Sequence, residues 1–223
     1  TDTSINTFGT MDGAAGTVTF DGSSSQALDE VTFFNVTNSN TNGLTIDGSS
    51  KTVTVNGELN LNVAAYITTG ANTLTIGTGG SIANAADDRH INVSNPSGYL
   101  GKTFGSGSAF SFPVGNGTIL RPIRLTSSAG STTFKLRFND NRYTSGNVTG
   151  GGFASGHISG YDGSNTDVTK GYYYELQRTT GSANASLYVS WADALQYGTS
   201  GNIFGADLIG ITWGTWNGSR WDN

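Results

Sequence analysis

SGSAFSFPVGNGTILRPIRLT, residues Ser106–Thr126, decides how the chain is read, because the pattern differs on its two sides. Before it the sequence is rich in Gly, Asn and Thr with short apolar beats; after it come longer alternations heavy in Tyr, Phe and Trp. Within it the alternation puts Phe110, Phe112 and Val114 on one face of a strand, with Ser111 and Pro113 facing away. Gly115-Asn116-Gly117 reads as a tight turn, since Gly and Asn tolerate positive φ. Ile123 and Leu125 then resume the alternation. The stretch reads as the junction between two β modules, 1–105 and 106–223.

The same residues carry a family resemblance. The aromatic-Ser-Phe-Pro-Val-Gly-x-Gly block followed by Arg-Pro-x-x-Leu-Thr resembles a segment of large secreted surface proteins of Bacteroidetes-type bacteria, adhesin-like proteins associated with type IX secretion. In that family it follows a β-solenoid ending in a Lys-Thr-Phe segment, and Gly101-Lys102-Thr103-Phe104 occupies that place here. Upstream, Gly16–Gly22, Phe34-Asn-Val-Thr37, Val53–Gly57 and Asn72–Gly77 are similar in order. Downstream, Tyr174-Glu-Leu176, Leu187–Trp191 and Trp216–Trp221 fit as well, although the family more often has Tyr-Trp where this chain has Tyr173-Tyr174. The resemblance implies a solenoid-plus-sandwich module at the cell surface. It implies no activity, because such proteins serve as adhesins, surface-layer parts and spacers.

Composition agrees with an all-β chain. Of 223 residues 33 are Gly, only 12% are charged, and 35% are apolar, which suits short strands joined by polar turns. A net charge of −5 with no basic run argues against nucleic acid or anionic membrane as partner. With no cysteine, neither disulfides nor thiolate metal sites can form. No apolar run approaches the roughly 20 residues of a membrane helix, so membrane insertion by a helix is not expected. The start at Thr1 lacks a charged and apolar leader, giving the expectation of a mature product or an excised segment. An extracellular location is what the resemblance implies.

Thr1–Asp12 is polar apart from Ile5, Phe8 and Met11, and reads as an extended lead. Thr17–Phe20 is the first clear strand. Then apolar residues come in period-two pairs: Val31/Phe33, Leu44/Ile46, Val53/Val55, Leu59/Leu61/Val63 and Leu74/Ile76. Such beats separated by Asn, Gly, Ser and Thr fit parallel β-helix coils of about 20 residues or more, though irregular ones. They also fit hairpins turning at Asn42-Gly43 and Asn56-Gly57. The resemblance selects the helix. Ala83–Ser97 departs from the beat, and its Asp87-Asp88-Arg89-His90 reads as a loop off the last coil.

After the junction, Phe134/Leu136/Phe138 alternate with Lys135/Arg137, a strand with one wet face. Asn139–Lys170 is a long Gly-rich surface loop. Tyr172/Tyr174/Leu176, Leu187/Val189/Trp191 and Ile209/Ile211/Trp213 are three further strands, completing an antiparallel sandwich, Ig-like or jelly-roll-like. Asn217-Gly218 signals a type I′ hairpin, with Arg220-Trp221 opening the return strand. Related proteins continue further. The expectation is therefore a sandwich one strand short, completed by strand donation between neighbours. Thr3, Ile5 and Phe8 are the candidate donor contacts, and Trp216 and Trp221 the candidate receiving ones.

Chemistry is sparse. His90 and His157 both sit in loops that read as exposed, and an Asp87 or Asp88 partner for His90 has no nucleophile motif beside it. The acids Asp87, Asp88, Asp162, Asp167, Glu175 and Asp193 form no pattern of paired glycosidase carboxylates, and only Arg89 and Lys102 lie near the acidic loop to hold a uronate. Asp162-Gly-Ser-Asn-Thr-Asp167 spaces oxygen side chains as hard-cation loops do. Asp162, Asn165 and Asp167 are candidate ligands of a structural calcium, although turn formation explains the same letters. No other cofactor is expected. Tyr173 and Trp216 face outward in the alternation and are candidate glycan contacts, or packing contacts to a neighbouring module. The Thr-x-Thr units at Thr17, Thr52 and Thr73 are too few and too uneven to favour an ice-binding face.

The expected function is a non-enzymatic structural or adhesive surface module, repeated or polymerised end to end with copies of itself or neighbouring modules. The alternatives are a carbohydrate-binding module, whose partners would be surface glycans, and a β-helix lyase or hydrolase.

Overall fold

The structure, a computed structural model, describes residues 16–93, 98–118, 120–139, 173–189, 215–216 and 221–222. Every regular element among them is a strand. The chain forms two compact units, Thr1–Asp140 with Tyr173–Ser190, and Asn141–Tyr172 with Trp191–Asn223.

In the first unit the chain winds through three parallel sheets in a fixed order. The first coil is β1 (Thr17–Phe20), β2 (Gln26–Leu28) and β3 (Thr32–Phe33). The second is β4 (Asn35–Asn38), β5 (Leu44–Ile46) and β6 (Ser49–Val55). The third is β7 (Glu58–Leu61), β8 (Ile67–Thr68) and β9 (Ala71–Ile76), and the last is β10 (Ser81–Ala83), β11 (Ile91–Asn92) and β12 (Tyr99–Phe104). Strands stack as β1-β4-β7-β10 in one sheet, β2-β5-β8-β11 in a second and β3-β6-β9-β12 in a third. This is a parallel β-solenoid of four stacked coils, about three turns from the first rung to the last. The meander reading fails, because Leu44 pairs in parallel with Ile67 and Ile67 with Ile91, so neighbours in a sheet are a whole coil apart in sequence.

Each apolar pair supplies the inward face of its strand. Leu44, Val53, Val55, Leu59, Leu61, Ile67, Leu74, Ile76 and Ile91 are all at most 1% exposed. Burying one such side chain contributes about 1.5–3 kcal/mol. Phe20 and Phe33 fill the first coil, their rings meeting edge to face at 6.0 Å. The irregular period has a structural source. Side chains reach the coil below across 18 residues at Asn35–Thr17, 23 at Asn62–Ser39 and 24 at Asn84–Asn60, so the coils differ in length.

Polar residues close the corners. Asn72 is 1% exposed. Its Nδ2 donates to the carbonyls of Ile46 (2.9 Å) and Gly48 (3.1 Å), and its Oδ1 accepts the Lys51 amide at 2.9 Å. It thereby satisfies a corner whose backbone is left-handed at Gly48 (φ 77) and Ser50 (φ 61). Asn40 does the same one coil down, donating to the Ser24 carbonyl and to Gln26 Oε1 and accepting the Asn42 amide.

The junction differs from the sequence expectation. Phe110, Phe112 and Val114 do not share one strand: β13 (Ala109–Phe112) and β14 (Val114–Gly115) join different sheets. Pro113 lies between them, is buried, and offers no amide to carry a ladder forward, although its carbonyl accepts the Ile91 amide at 3.0 Å. β14 continues the second sheet in parallel on β11, whereas β13 pairs antiparallel with β15 (Ile123–Ser127) and takes no place beside β10 in the first sheet. Next, β16 (Thr132–Asn139) adds to β12 antiparallel, and β17 (Tyr173–Thr180) adds to β16. One six-stranded sheet thus runs from β3 to β17, crossing residue 105 without a break. β18 (Ala185–Val189) extends β13-β15 into a three-stranded antiparallel layer. The two layers pack through Phe104, whose ring lies 6.3 Å from Phe112 and 5.8 Å from Phe134.

In the second unit, β19 (Thr215–Trp216) and β20 (Trp221–Asp222) pair antiparallel. The return strand expected at Trp221 is present. Trp216 pairs with Trp221, and the turn expected at Asn217-Gly218 lies outside the described residues. The strand expected at Ile209–Trp213 lies outside the described residues, as does the loop expected at Asn139–Lys170 apart from Asn139, which ends β16.

Candidate functional site

Among the described residues a dense polar grouping lies on the outward face of the third sheet, where β12, β16 and β17 meet. Leu100 pairs with Leu136 and Leu136 with Leu176, which points those leucines inward and their neighbours Tyr99, Lys135, Arg137, Glu175 and Gln177 outward. Tyr99 donates its hydroxyl to Glu175 Oε1 at 2.8 Å and accepts from Gln177 Nε2 at 3.1 Å. Glu175 also accepts from Gln177 and pairs with Arg137. The Lys135 ammonium lies 4.0 Å above the Tyr99 ring centre and the Arg137 guanidinium 5.3 Å from it.

Burial, then the bond to Glu175, pushes the Tyr99 phenol above its ordinary range. Burial opposes the charge of Arg137, but the Glu175 carboxylate and Tyr99 together more than restore it, leaving the guanidinium pKa above its ordinary value. Arg137 Nε is buried without a hydrogen-bond partner, its guanidinium oriented by the Glu175 pair and the Tyr99 face. With Glu175 taken by three donors, the group is a cross-strand clamp and not a free acid or base. The sequence shows Lys135 and Arg137 on a wet face and Glu175 among the acids. It does not show Tyr99 as their centre, since Tyr99 and Glu175 are 76 residues apart.

Inward on the same sheet, Phe33, Val55, Ile76 and Lys102 succeed one another in register, followed by Phe134. A lysine therefore occupies an apolar row. Lys102 is 3% exposed, and its ammonium donates to the carbonyls of Gly77, Thr78 (3.1 Å) and Gly80 (2.7 Å) in the turn after β9. It lies 5.2 Å from the Phe110 ring centre. Burial lowers its pKa to about 8. Facing the core, Lys102 is not placed to hold a uronate, which removes one of the two cations that lie near the acidic loop in sequence.

The loop before β11 also departs from expectation, because His90 is fully buried and not exposed. Its Nδ1 lies 3.2 Å from the Ala86 carbonyl, which can only accept, so Nδ1 carries the proton. Nε2 accepts the Gly117 amide at 3.1 Å, and the ring packs 4.7 Å from that of Tyr66. Desolvation lowers the imidazole pKa against the raising effect of the Ala86 and Asp87 backbone bonds. Neither aspartate's carboxylate is the hydrogen-bond partner of His90. Asp87 Oδ1 accepts the Leu120 amide at 3.2 Å, and Asp88 pairs with Arg89 at 3.0 Å.

Asp162, Asn165 and Asp167 lie outside the described residues, as do Thr3, Ile5, Phe8 and His157. Among the described residues no group of three or more His, Cys, Asp or Glu is arranged to hold a metal ion. Tyr173 begins β17, while Trp216 and Trp221 form the β19–β20 pair; their side chains lie outside what is described. The chain matches no known family model, no curated protein and no solved structure.

Proposed function

We propose that this chain is a non-enzymatic structural or adhesive module of an extracellular surface, joined end to end with copies of itself or with neighbouring modules. The observation that carries the reading is the unbroken β3-β6-β9-β12-β16-β17 ladder, which ties parallel coils and antiparallel strands into one hydrogen-bonded sheet. Tension along the chain is then shared by many backbone bonds loaded together. The polar side chains described above support the same reading, because Asn40, Asn72, Lys102 and Glu175 hold backbone or neighbouring strands. Assembly by strand donation is part of this proposal, with Thr3, Ile5 and Phe8 as donor residues and Trp216 and Trp221 as receiving ones.

Size measurement over a range of concentrations, followed by electron microscopy, tests it. Concentration-dependent oligomers or filaments are expected. A chain that stays monomeric throughout and binds a polysaccharide on a glycan array overturns the reading in favour of a carbohydrate-binding module.

A further inference from the structure

The turn that follows β14 is held against the loop that precedes β11. Asp87 Oδ1 accepts the Leu120 amide, Gly115 and Leu120 form a bridge, and His90 accepts the Gly117 amide. The last of these contacts is chemically distinct. A backbone N–H normally meets an oxygen, which cannot take its proton. Here it meets the lone pair of a neutral imidazole at 3.1 Å, with the tautomer fixed by the Ala86 carbonyl on the other nitrogen. The residue before that amide is asparagine.

We propose that Asn116-Gly117 is a site of self-modification, at which His90 acts as general base for closure of a succinimide and loss of the Asn116 side-chain amide as ammonia. His90 Nε2 takes the proton of the Gly117 amide. The Gly117 nitrogen attacks Asn116 Cγ, forming the N–Cγ bond of a five-membered imide. The Cγ–Nδ2 bond breaks, and the proton on His90 leaves with the departing ammonia, returning the imidazole to its neutral form. Water then opens the imide at either carbonyl, giving aspartate or isoaspartate with no oxidant or reductant consumed.

Three features favour this site. Asn116 Oδ1 accepts the Thr118 amide at 3.0 Å, so the carbonyl under attack is polarised and the charge that grows on its oxygen meets a donor. Gly117 presents no side chain to the attack and has a left-handed backbone (φ 84). The Tyr66 ring and the Ala86 carbonyl hold the base in place from two sides.

The chain supplies its own controls. Asn42-Gly43 and Asn56-Gly57 have the same reactive sequence, but the Gly43 amide donates to the Asn40 carbonyl at 2.9 Å and the Gly57 amide to the Phe34 carbonyl at 2.6 Å. Neither acceptor is a base.

Peptide mapping by mass spectrometry after incubation of the folded protein at neutral pH tests the proposal. Asn116 is expected to convert at least about tenfold faster than Asn42 and Asn56, the lower end of what a positioned base provides being larger still. Unfolding in urea should bring the three rates together. His90→Gln, which keeps an acceptor but cannot carry the proton away, should remove the advantage of Asn116. Equal rates at the three asparagines of the folded wild-type chain overturn the proposal, as does an undiminished Asn116 rate in folded His90→Gln. Should that variant fail to fold, the wild-type comparison decides alone.

Discussion

The ammonium of Lys102 lies 2.7 Å from the carbonyl oxygen of Gly80, in a row of the third sheet where the residue on the coil below is Ile76. With the Gly77 and Thr78 carbonyls it makes three bonds to main-chain oxygens of a single turn. Its cation is matched to dipoles and not to a carboxylate. Lys102→Met fits the apolar row but strips the turn of its donor. The variant is expected to lose about 1–3 kcal/mol of stability at neutral pH in urea unfolding, the cost of orphaned buried acceptors.

The same residue sets an alkaline signature. Its folded pKa, lowered to about 8 by burial, lies below the 10.5 of an ordinary lysine. Between those values the unfolded chain holds a proton that the folded chain has released. Stability therefore rises with pH across that window. Urea midpoints measured at intervals through it should climb in the wild type and flatten in Lys102→Met.

His90 gives an acid signature of the same sign. Its folded pKa lies below the ordinary 6.5, because desolvation outweighs its backbone bonds. Below 6.5 the unfolded state takes up a proton that the folded imidazole refuses. Stability is accordingly lost as pH falls from 6.5 toward the folded value. Comparing urea midpoints at neutral and mildly acid pH should show a drop in the wild type and a smaller one in His90→Gln.

Leu100 is fully buried where the parallel β9 and the antiparallel β16 both pair with β12. Leu100→Ala is expected to cost about 2–5 kcal/mol. The loss should appear as one shifted transition, because coils and antiparallel strands share that sheet. Intrinsic fluorescence and far-ultraviolet circular dichroism followed through the same urea titration would check it; two separated transitions would contradict the shared ladder.

Asn72 serves two carbonyls and one amide at the Gly48 corner. Asn72→Leu leaves all three without a side-chain partner, the Ile46 carbonyl in a buried site, and a loss of about 2 kcal/mol is expected. Faster amide exchange at Lys51 would localise the damage to that corner.

The solenoid was legible because each coil repeats a local cue. Leu44/Ile46, Val53/Val55 and Leu74/Ile76 carry the period of a strand, and the Asn and Gly between them mark corners. Which strand lies beside which is not in that cue, and the parallel pairing is shown by Leu44 stacked on Ile67. The junction misled for a specific reason. Alternation treats Phe110 to Val114 as continuous, yet Pro113 moves the chain from one sheet to another. His90 reads as exposed because a charged loop ordinarily means water, and nothing in the Lys-Thr-Phe sequence marks Lys102 as buried. Their burial depends on carbonyls of Gly77, Gly80 and Ala86 that have no side-chain signature. The Tyr99 group needed Glu175 brought from 76 residues away, which no local pattern encodes.

The reversal of direction at β16 gives the solenoid two unlike ends. From β3 to β12 each strand of the third sheet offers the next an in-register template, as Val53 does for Leu74 and Leu74 for Leu100. Duplicating one coil in the middle of that series would lengthen the stack by a single rung, about 4.8 Å, and leave the Pro113 junction untouched. Beyond β12 the template changes polarity, and no further coil can be copied onto it. Reach is thus adjustable in fixed increments on one side of Lys102 and closed on the other, as on a ruler with a stop.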